Sequence, residues 1–199
     1  MRSAPGWIGG SALLARAYSV AAEAHAGQKR ATDGTPFIGH VVEVGGLLEE
    51  AGLDEDLVAA GLLHDSVERG TLSSERLRQE VADEIWSLVM ALTEDPAIVS
   101  FEQRKAALRE QVREAGGRAI TIFAADKLSD IRGLRRGIAR SRGGIEARIG
   151  TTVSAMAAHY GKSVAMIEEN EPDSEFLAAL RAELEGLATM AVPVGRMSG

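Results

Sequence analysis

The sequence lacks cysteine altogether and is poor in aromatic residues. Without cysteine, neither a disulfide framework nor a thiolate metal site can form, so any bound metal would need histidine and carboxylate ligands. Aromatic residues make up only 4% of the 199 residues, against 45% for all hydrophobic residues, so the core must consist mainly of Leu, Ala, Val and Ile. That composition favours packed helices over a β-sandwich.

Long apolar segments are also missing. No apolar run approaches the roughly 20 residues that a membrane-spanning helix needs. The N-terminus has no charged segment followed by a long apolar stretch, so no signal peptide is predicted. We therefore expect a cytoplasmic protein with no membrane partner. A net charge of −7 argues against nucleic-acid binding, and no oligomeric state follows from the sequence.

Positive charge is concentrated in one part of this acidic chain. Between residues 127 and 148, seven Lys or Arg residues stand against only Asp130 and Glu146. A local basic stretch of this kind can mark an anion-binding site. The alternative is a solvated helix face and loop, and the sequence leaves both interpretations open.

Apolar residues recur with helical spacing along most of the chain, which predicts an all-α protein. The segment RATDGTPF is rich in turn formers and predicts a loop or tight hairpin. Asp54 is expected to cap a helix that ends at Gly70, and another helix is predicted over 145–168. We predict a single domain over residues 1–192 and a disordered tail over residues 193–199.

Four polar residues occur in apolar surroundings. His40 follows the predicted turn, His64 and Asp65 lie in LLHDSVE, and Asp126 lies in IFAADKL. A buried carboxylate is costly unless it is paired or bound to a metal. Because Asp65 and Asp126 both lie in apolar surroundings, the sequence favours one partner that they share, such as a divalent cation held by two imidazoles and two carboxylates. The alternative is structural, with His64 hydrogen-bonded in the core and Asp126 paired with an arginine.

The order of the motifs along the chain resembles a known family. The motifs are Q-x-R at 28–30, G-x-P-[YF]-x-x-H at 34–40, L-L-H-D-x-x-E at 62–68, R-K at 104–105 and A-D-[KR]-L at 125–128. Over residues 17–134 this set resembles the HD hydrolase domain of the RelA/SpoT group. Small stand-alone alarmone hydrolases, including the metazoan SpoT homologues, are similar to it in size.

The resemblance implies an HD-domain helical bundle with a short loop or hairpin before the first metal ligand. It implies one Mn²⁺ held by His40, His64, Asp65 and Asp126, although another divalent metal would suit the same ligands. The implied reaction is hydrolysis of guanosine tetra- or pentaphosphate with release of pyrophosphate from the 3′ position. A small phosphorylated nucleotide is therefore the expected partner.

The resemblance also assigns roles to other motif residues. Glu68 matches the acidic residue beside the metal, and we expect it to orient or deprotonate the attacking water. Its position four residues after His64 would place both side chains on one helix face. The expected substrate-binding cations are Arg30, Arg104, Lys105 and Lys127.

The chain departs from the family pattern at three places. Arg69 stands where the family usually has Asp, and Ala31 stands where it usually has Lys. Ser129 and Asp130 replace the usual His-Asn pair. These changes remove a carboxylate from beside the water, remove a substrate cation and turn an amide into an acid. Asp130 is expected on the substrate side of the site, where it could support the metal ligands or join them.

Two alternative functions are kept. The same metal site could act on another nucleotide or on NADPH. A catalytically weak, metal-bound domain could instead serve as a regulator, or as an antitoxin to an alarmone-making toxin, and Arg69 is the feature that supports this alternative. His25 and His159 are predicted to be structural rather than catalytic.

Overall fold

The computed structural model describes residues 4–141 and 144–191, and these residues are mostly helical. In chain order the helices are α1 (Gly6–Gly9), α2 (Ala12–Ala24), α3 (Ile38–Glu50), α4 (Glu55–Leu63), α5 (Ser74–Glu80), α6 (Asp83–Leu92), α7 (Phe101–Ala115), α8 (Gly117–Ser141), α9 (Ile145–Ile149), α10 (Val153–Asn170) and α11 (Leu177–Ala191). The predicted hairpin before α3 is a turn closed by an isolated antiparallel bridge between Lys29 and Pro36. The predicted all-α class is confirmed.

Helix α8 lies at the centre of the molecule, where it contacts α3, α4, α6, α7, α10 and α11. Its side chains are buried on nearly every side, with Phe123, Ile131 and Leu134 fully inaccessible to solvent. A helix that is covered all round needs apolar residues on all its faces, and the sequence supplies them. Asp126 lies in the middle of this helix and is therefore buried.

Helices α3 and α4 pack closely because glycine lies at their contact. A Cβ atom on Gly61 would come within 2.4 Å of Leu48 Cδ1, and one on Gly45 within 2.9 Å of Leu62 Cδ2. Asp54 caps α4 as predicted, since its side chain accepts a hydrogen bond from Leu57 N at 3.0 Å. This packing brings the start of α3 and the end of α4 together.

Two helix boundaries differ from the sequence prediction. Helix α4 ends at Leu63 rather than at Gly70, because Ser66 N bonds to Leu63 O at 2.8 Å and tightens the chain into turns. The helix predicted over 145–168 is divided into α9 and α10 by Gly150, whose φ of 69° is left-handed. The tail predicted over residues 193–199 lies outside the described residues.

Candidate metal centre

Three helices bring the four predicted metal ligands together. His40 lies in the first turn of α3, His64 directly follows α4, Asp65 comes next, and Asp126 lies in α8. None of the four is more than 7% exposed. The ligand set therefore lies in the interior, where ionised carboxylates require a positive partner.

The ligand atoms of these residues face one another. The two Nε2 atoms of His40 and His64 are 3.2 Å apart. Asp65 Oδ2 lies 3.4 Å from each of them. Asp126 Oδ1 lies 3.2 Å from His40 Nε2 and 3.5 Å from His64 Nε2. All five distances thus fall in a narrow range.

This spacing fits a divalent cation. With metal–ligand bonds of about 2.0–2.2 Å, neighbouring ligand atoms lie about 3.0 Å apart in an octahedron and about 3.4 Å apart in a tetrahedron. Two groups of potential ligands share His40: one adds His64 and Asp65, and the other adds Asp126 and Asp130. Asp130 therefore lies close enough to belong to the ligand cluster.

Hydrogen bonds on the far side of each imidazole orient it for metal binding. His64 Nδ1 donates to Gly61 O at 2.7 Å, since a carbonyl can only accept. His40 Nδ1 lies 2.9 Å from Ser129 Oγ, which donates to Glu43 Oε2 at 3.0 Å. The serine therefore accepts from His40, so each histidine carries a proton on Nδ1 and turns its Nε2 towards the centre as the atom that would bind a metal.

The charges around the centre keep the carboxylates ionised. Burial favours protonation of Asp65, but His64 and Arg69 outweigh it and hold the Asp65 pKa well below its ordinary range. Burial acts likewise on Asp126, where Lys127 and the two histidines hold the pKa well below its ordinary range. Both residues are thus available as anionic ligands.

Lys127, an expected substrate-binding cation, lies at the centre, where its ammonium group contacts carboxylates of the protein itself. Lys127 Nζ lies 2.6 Å from Asp126 Oδ2 and 3.6 Å from Asp130 Oδ2. It also lies 4.8 Å from the centre of the Phe123 ring. Burial lowers the Lys127 pKa, but the two aspartates more than offset this and raise it, so the side chain stays charged.

Arg30 is also buried and paired. Its Nη2 donates to Ser129 O and to Asp130 Oδ1, each at 3.2 Å, and its Nη1 lies 3.6 Å from Glu43 Oε2. The guanidinium fits against α8 because residue 133 is glycine, whose Cβ would come within 2.5 Å of Arg30 Nη2. Arg30 thus connects Ser129 and Glu43, the two residues that support His40, to Asp130.

Glu68 lies on a neighbouring cavity. Its Oε2 accepts a hydrogen bond from Glu94 N at 3.0 Å. Both residues line a cavity of about 680 Å³ together with Arg104 and Gln111. Burial and the nearby Asp65 raise the Glu68 pKa above its ordinary value. The expected shared helix face of His64 and Glu68 is wrong, because α4 ends before His64.

Arg104 and Lys105 both bind Glu94, which the sequence analysis did not single out. Arg104 Nε donates to Glu94 Oε2 at 2.7 Å, and its Nη1 donates to Ile98 O at 2.8 Å. Lys105 pairs with the other oxygen of Glu94. Glu94, which lines the cavity, therefore binds both predicted cations, and no sequence motif pointed to it.

The other histidines and the basic stretch have structural contacts. His25 stacks on Phe37 with ring centres 4.7 Å apart, and its Nδ1 lies 2.9 Å from Gln28 Oε1. Burial lowers the pKa of His159 to about 2. In the basic stretch, Arg132 and Arg135 pair with Glu183, and Arg136 pairs with Asp33 and Glu43. These arginines form internal ion pairs rather than an open anion site.

The all-helical fold and its buried histidine–aspartate cluster are typical of helical proteins that bind a metal ion in their interior. The HD domain family model matches residues 17–152, and the chain belongs to this family. The resemblance to HD-domain proteins that the motifs indicated is thereby confirmed. None of the helices in residues 4–141 and 144–191 has the length and apolar character that a bilayer crossing requires.

Curated relatives carry names from alarmone metabolism. The chain is 34% identical over 129 residues to the GTP pyrophosphokinase rsh of Brucella ovis, covering 62% of this chain and 17% of that protein. It is 33% identical over 132 residues to a probable guanosine-3′,5′-bis(diphosphate) 3′-pyrophosphohydrolase of Synechocystis, covering 61% of this chain and 17% of that protein. The chain thus spans about a sixth of the length of these relatives.

Solved structures share the fold over most of the chain. A metazoan orthologue of SpoT, described as hydrolysing ppGpp, is 26% identical with a TM-score of 0.73, covering 88% of this chain and 96% of that chain. A Listeria monocytogenes protein is 25% identical with a TM-score of 0.65, covering 75% of this chain and 94% of that chain.

Proposed function

We propose that this protein is a metal-dependent pyrophosphohydrolase that acts on guanosine-3′,5′-bis(diphosphate) or the pentaphosphate. The buried cluster of His40, His64, Asp65 and Asp126 carries this proposal, because its spacing and its hydrogen bonds suit a divalent cation. The substrate is supported by the names of the Synechocystis relative and of the metazoan structure.

We assign Mn²⁺ as the metal. Imidazole and carboxylate ligands suit Mn²⁺, Fe²⁺ or Zn²⁺ better than soft metals. When bound, the ion lowers the pKa of a coordinated water and polarises a phosphoryl oxygen. His40 and His64 would hold it through Nε2, Asp65 and Asp126 through one carboxylate oxygen each, and Asp130 is close enough to contribute.

Glu68 is the proposed general base. Its raised pKa makes it a better proton acceptor near neutral pH than an ordinary glutamate. It takes a proton from the attacking water as the water oxygen bonds to the phosphorus attached to the ribose 3′ oxygen. The bond between that phosphorus and the 3′ oxygen breaks, the 3′ oxygen takes up the proton that Glu68 accepted from the water, and pyrophosphate leaves.

The proposed substrate-binding groups are Arg30, Arg104, Lys105, Lys127 and Asp130. Of the four cations, Arg104 lines the cavity directly, while Lys127 and Arg30 lie at the base of the metal centre. Such cations offset the charge that develops on a leaving diphosphate. Asp130 contributes indirectly, because it positions both Arg30 and Lys127.

One observation favours a second candidate substrate. All four of these cations already contact a carboxylate, whether Glu94, Asp126 or Asp130. Their charge is therefore partly neutralised, which would suit a nucleotide with fewer phosphates, or NADPH, better than an alarmone with two diphosphates. A weakly active regulatory or antitoxin domain is the corresponding outcome if none of these substrates is turned over.

A substrate panel tests these proposals. The purified protein is supplemented with Mn²⁺ and assayed on guanosine tetraphosphate, other nucleotides and NADPH, with pyrophosphate and phosphate release measured separately. The His64→Ala variant serves as the metal-site control. Pyrophosphate release from the alarmone by the wild type alone supports the proposal, whereas phosphate release from another nucleotide with no alarmone turnover rejects the substrate assignment.

A further inference from the structure

The cations expected to bind substrate differ in how accessible they are. Arg30 and Lys127 are only 5% and 4% exposed, and both are paired with aspartates. Arg104 and Lys105 share the carboxylate of Glu94. A phosphate group that enters from solvent would have to compete with these carboxylates for each of the four cations.

Arg69 is more exposed to solvent than any of these four cations. Its side chain is 46% exposed, and its Nε lies 3.2 Å from Asp65 Oδ1 and 3.5 Å from Glu68 Oε1. Within the described part of the chain, its two terminal nitrogens donate no hydrogen bond to a side chain or to the backbone. Arg69 therefore has donors facing solvent while its Nε is fixed at the centre.

The contact with Asp65 places Arg69 next to the metal ligands. Asp65 Oδ2 faces the Nε2 atoms of His40 and His64, and Asp65 Oδ1 faces Arg69. A single carboxylate group thus separates the guanidinium from the ligand nitrogens. A phosphate bound at this centre would come within reach of the terminal nitrogens of Arg69.

The backbone that carries Arg69 is held in place. Gln28 Nε2 donates to Arg69 O at 2.7 Å, and Arg69 N donates to Asp65 O at 2.9 Å. The next residue must be glycine, since a Cβ on Gly70 would lie 2.2 Å from Ser66 O. The arginine is thus presented from a fixed turn, which limits the entropy lost when it binds an anion.

We propose that Arg69 is a phosphate-binding residue that selects the substrate at the mouth of the metal centre. Its planar fork of donors matches phosphate oxygens, and its charge is permanent. It occupies the position where related sequences usually carry an aspartate, so it supplies positive charge that they lack there. This inference rests on the proposed phosphohydrolase function and names a further group that recognises the substrate.

Substitutions at position 69 that change the charge of the side chain separately from its forked geometry test the proposal. Arg69→Gln removes the charge, Arg69→Lys keeps it without the fork, and Arg69→Asp restores the usual carboxylate. Arg78→Gln is the control, because Arg78 is similarly exposed, pairs with Asp83 and stacks over Trp86 away from the centre. Binding of inorganic pyrophosphate to the Mn²⁺-loaded proteins is measured by calorimetry, metal content is determined, and KM and kcat are measured with guanosine tetraphosphate.

We expect Arg69→Gln to weaken pyrophosphate binding about 10-fold or more and to raise KM by a similar factor, as for the loss of one charge-assisted contact. Arg69→Lys should lose less and Arg69→Asp more, while metal content and kcat stay within about threefold of the wild type. Arg78→Gln should resemble the wild type.

The remaining outcomes of these measurements either overturn the inference or reject only the proposed substrate. Unchanged pyrophosphate binding in Arg69→Gln overturns the inference, and so does a fall in metal content that accounts for all of the lost binding, since Arg69 would then act only through Asp65. No pyrophosphate binding by the wild type also overturns it. If pyrophosphate binding falls in Arg69→Gln but the wild type does not hydrolyse the alarmone, the inference stands and only the substrate proposal fails.

Discussion

His40 Nδ1 lies 2.9 Å from the hydroxyl oxygen of Ser129, one turn along α8 from the ligand Asp126. The hydroxyl in turn donates a hydrogen bond to Glu43 Oε2, 3.0 Å away. The serine thus joins a metal-ligand imidazole to a carboxylate, an arrangement that fixes the tautomer of the histidine and raises its basicity. The motif pattern of the family usually has histidine at this position, where this chain has serine.

Ser129→Ala should therefore weaken metal binding. The change leaves His40 Nδ1 and Glu43 without their shared partner, and loss of such a support typically costs about 10–100-fold in metal affinity. Chelator competition with Mn²⁺ measures the effect. Ser163→Ala is a matched control, because Ser163 is equally buried but bonds to His159 O in α10. Equal metal affinity in the two variants would contradict the assigned role.

Removal of a ligand should have a larger effect. His64→Ala should abolish binding of the divalent metal, because it leaves an incomplete ligand shell around two buried carboxylates. Metal analysis of the purified proteins, with circular dichroism as a check on folding, measures this. His159→Ala removes a buried histidine that is not a predicted ligand and should keep the metal of the wild type. Equal metal content in His64→Ala and wild type would show that the metal lies elsewhere.

Glu68→Gln should lower kcat while the metal stays bound. Glutamine keeps an oxygen that can accept the hydrogen bond from Glu94 N but cannot take a proton from water. Loss of general-base assistance typically costs about 10²-fold or more. Steady-state kinetics and metal analysis are measured together, with the distant Glu80→Gln as control. Loss of metal from Glu68→Gln would make Glu68 a ligand rather than a base.

The sequence predicted which residues meet in the buried cluster because they occur in short motifs. The expectation of HD-type chemistry required only local signals: apolar residues around His64-Asp65 and around Asp126, in a fixed order along the chain. The start of α4 was predictable for the same reason, since Asp54 accepts a hydrogen bond from the backbone N–H three residues later. Such features depend on a few neighbouring residues.

The groups that support the ligands could not be predicted in this way. Ser129 and Glu43 are 86 residues apart, and Glu68 and Glu94 are 26 apart, so only the packed fold brings them together. The end of α4 also escaped prediction, because residues 64–69 contain no glycine or proline that would end a helix, whereas the local bond from Ser66 N to Leu63 O tightens the backbone into turns. This is why the expected shared helix face of His64 and Glu68 was wrong, while the expected role of Glu68 beside the metal stays a prediction.

The last prediction concerns the turn before α3, where Ala31 replaces the lysine that related sequences usually carry. Ala31 is exposed and directly follows the buried Arg30, so a lysine there would add a solvent-facing cation beside the centre. If the substrate carries two diphosphates, Ala31→Lys should lower KM about 10-fold or more with little change in kcat, as expected for uniform binding. Kinetics with guanosine tetraphosphate and with a singly phosphorylated nucleotide measure this difference.

The control for Ala31→Lys is Gln79→Lys, which adds the same charge at an exposed position of α5. A general gain from added positive charge would lower KM in both variants, whereas a specific contact lowers it only in Ala31→Lys. If Ala31→Lys leaves KM for the alarmone unchanged and the wild type prefers the simpler nucleotide, the pocket is tuned to fewer phosphates. In that case the paired state of Arg30 and Lys127 is the physical reason, because their charge is already satisfied by aspartates.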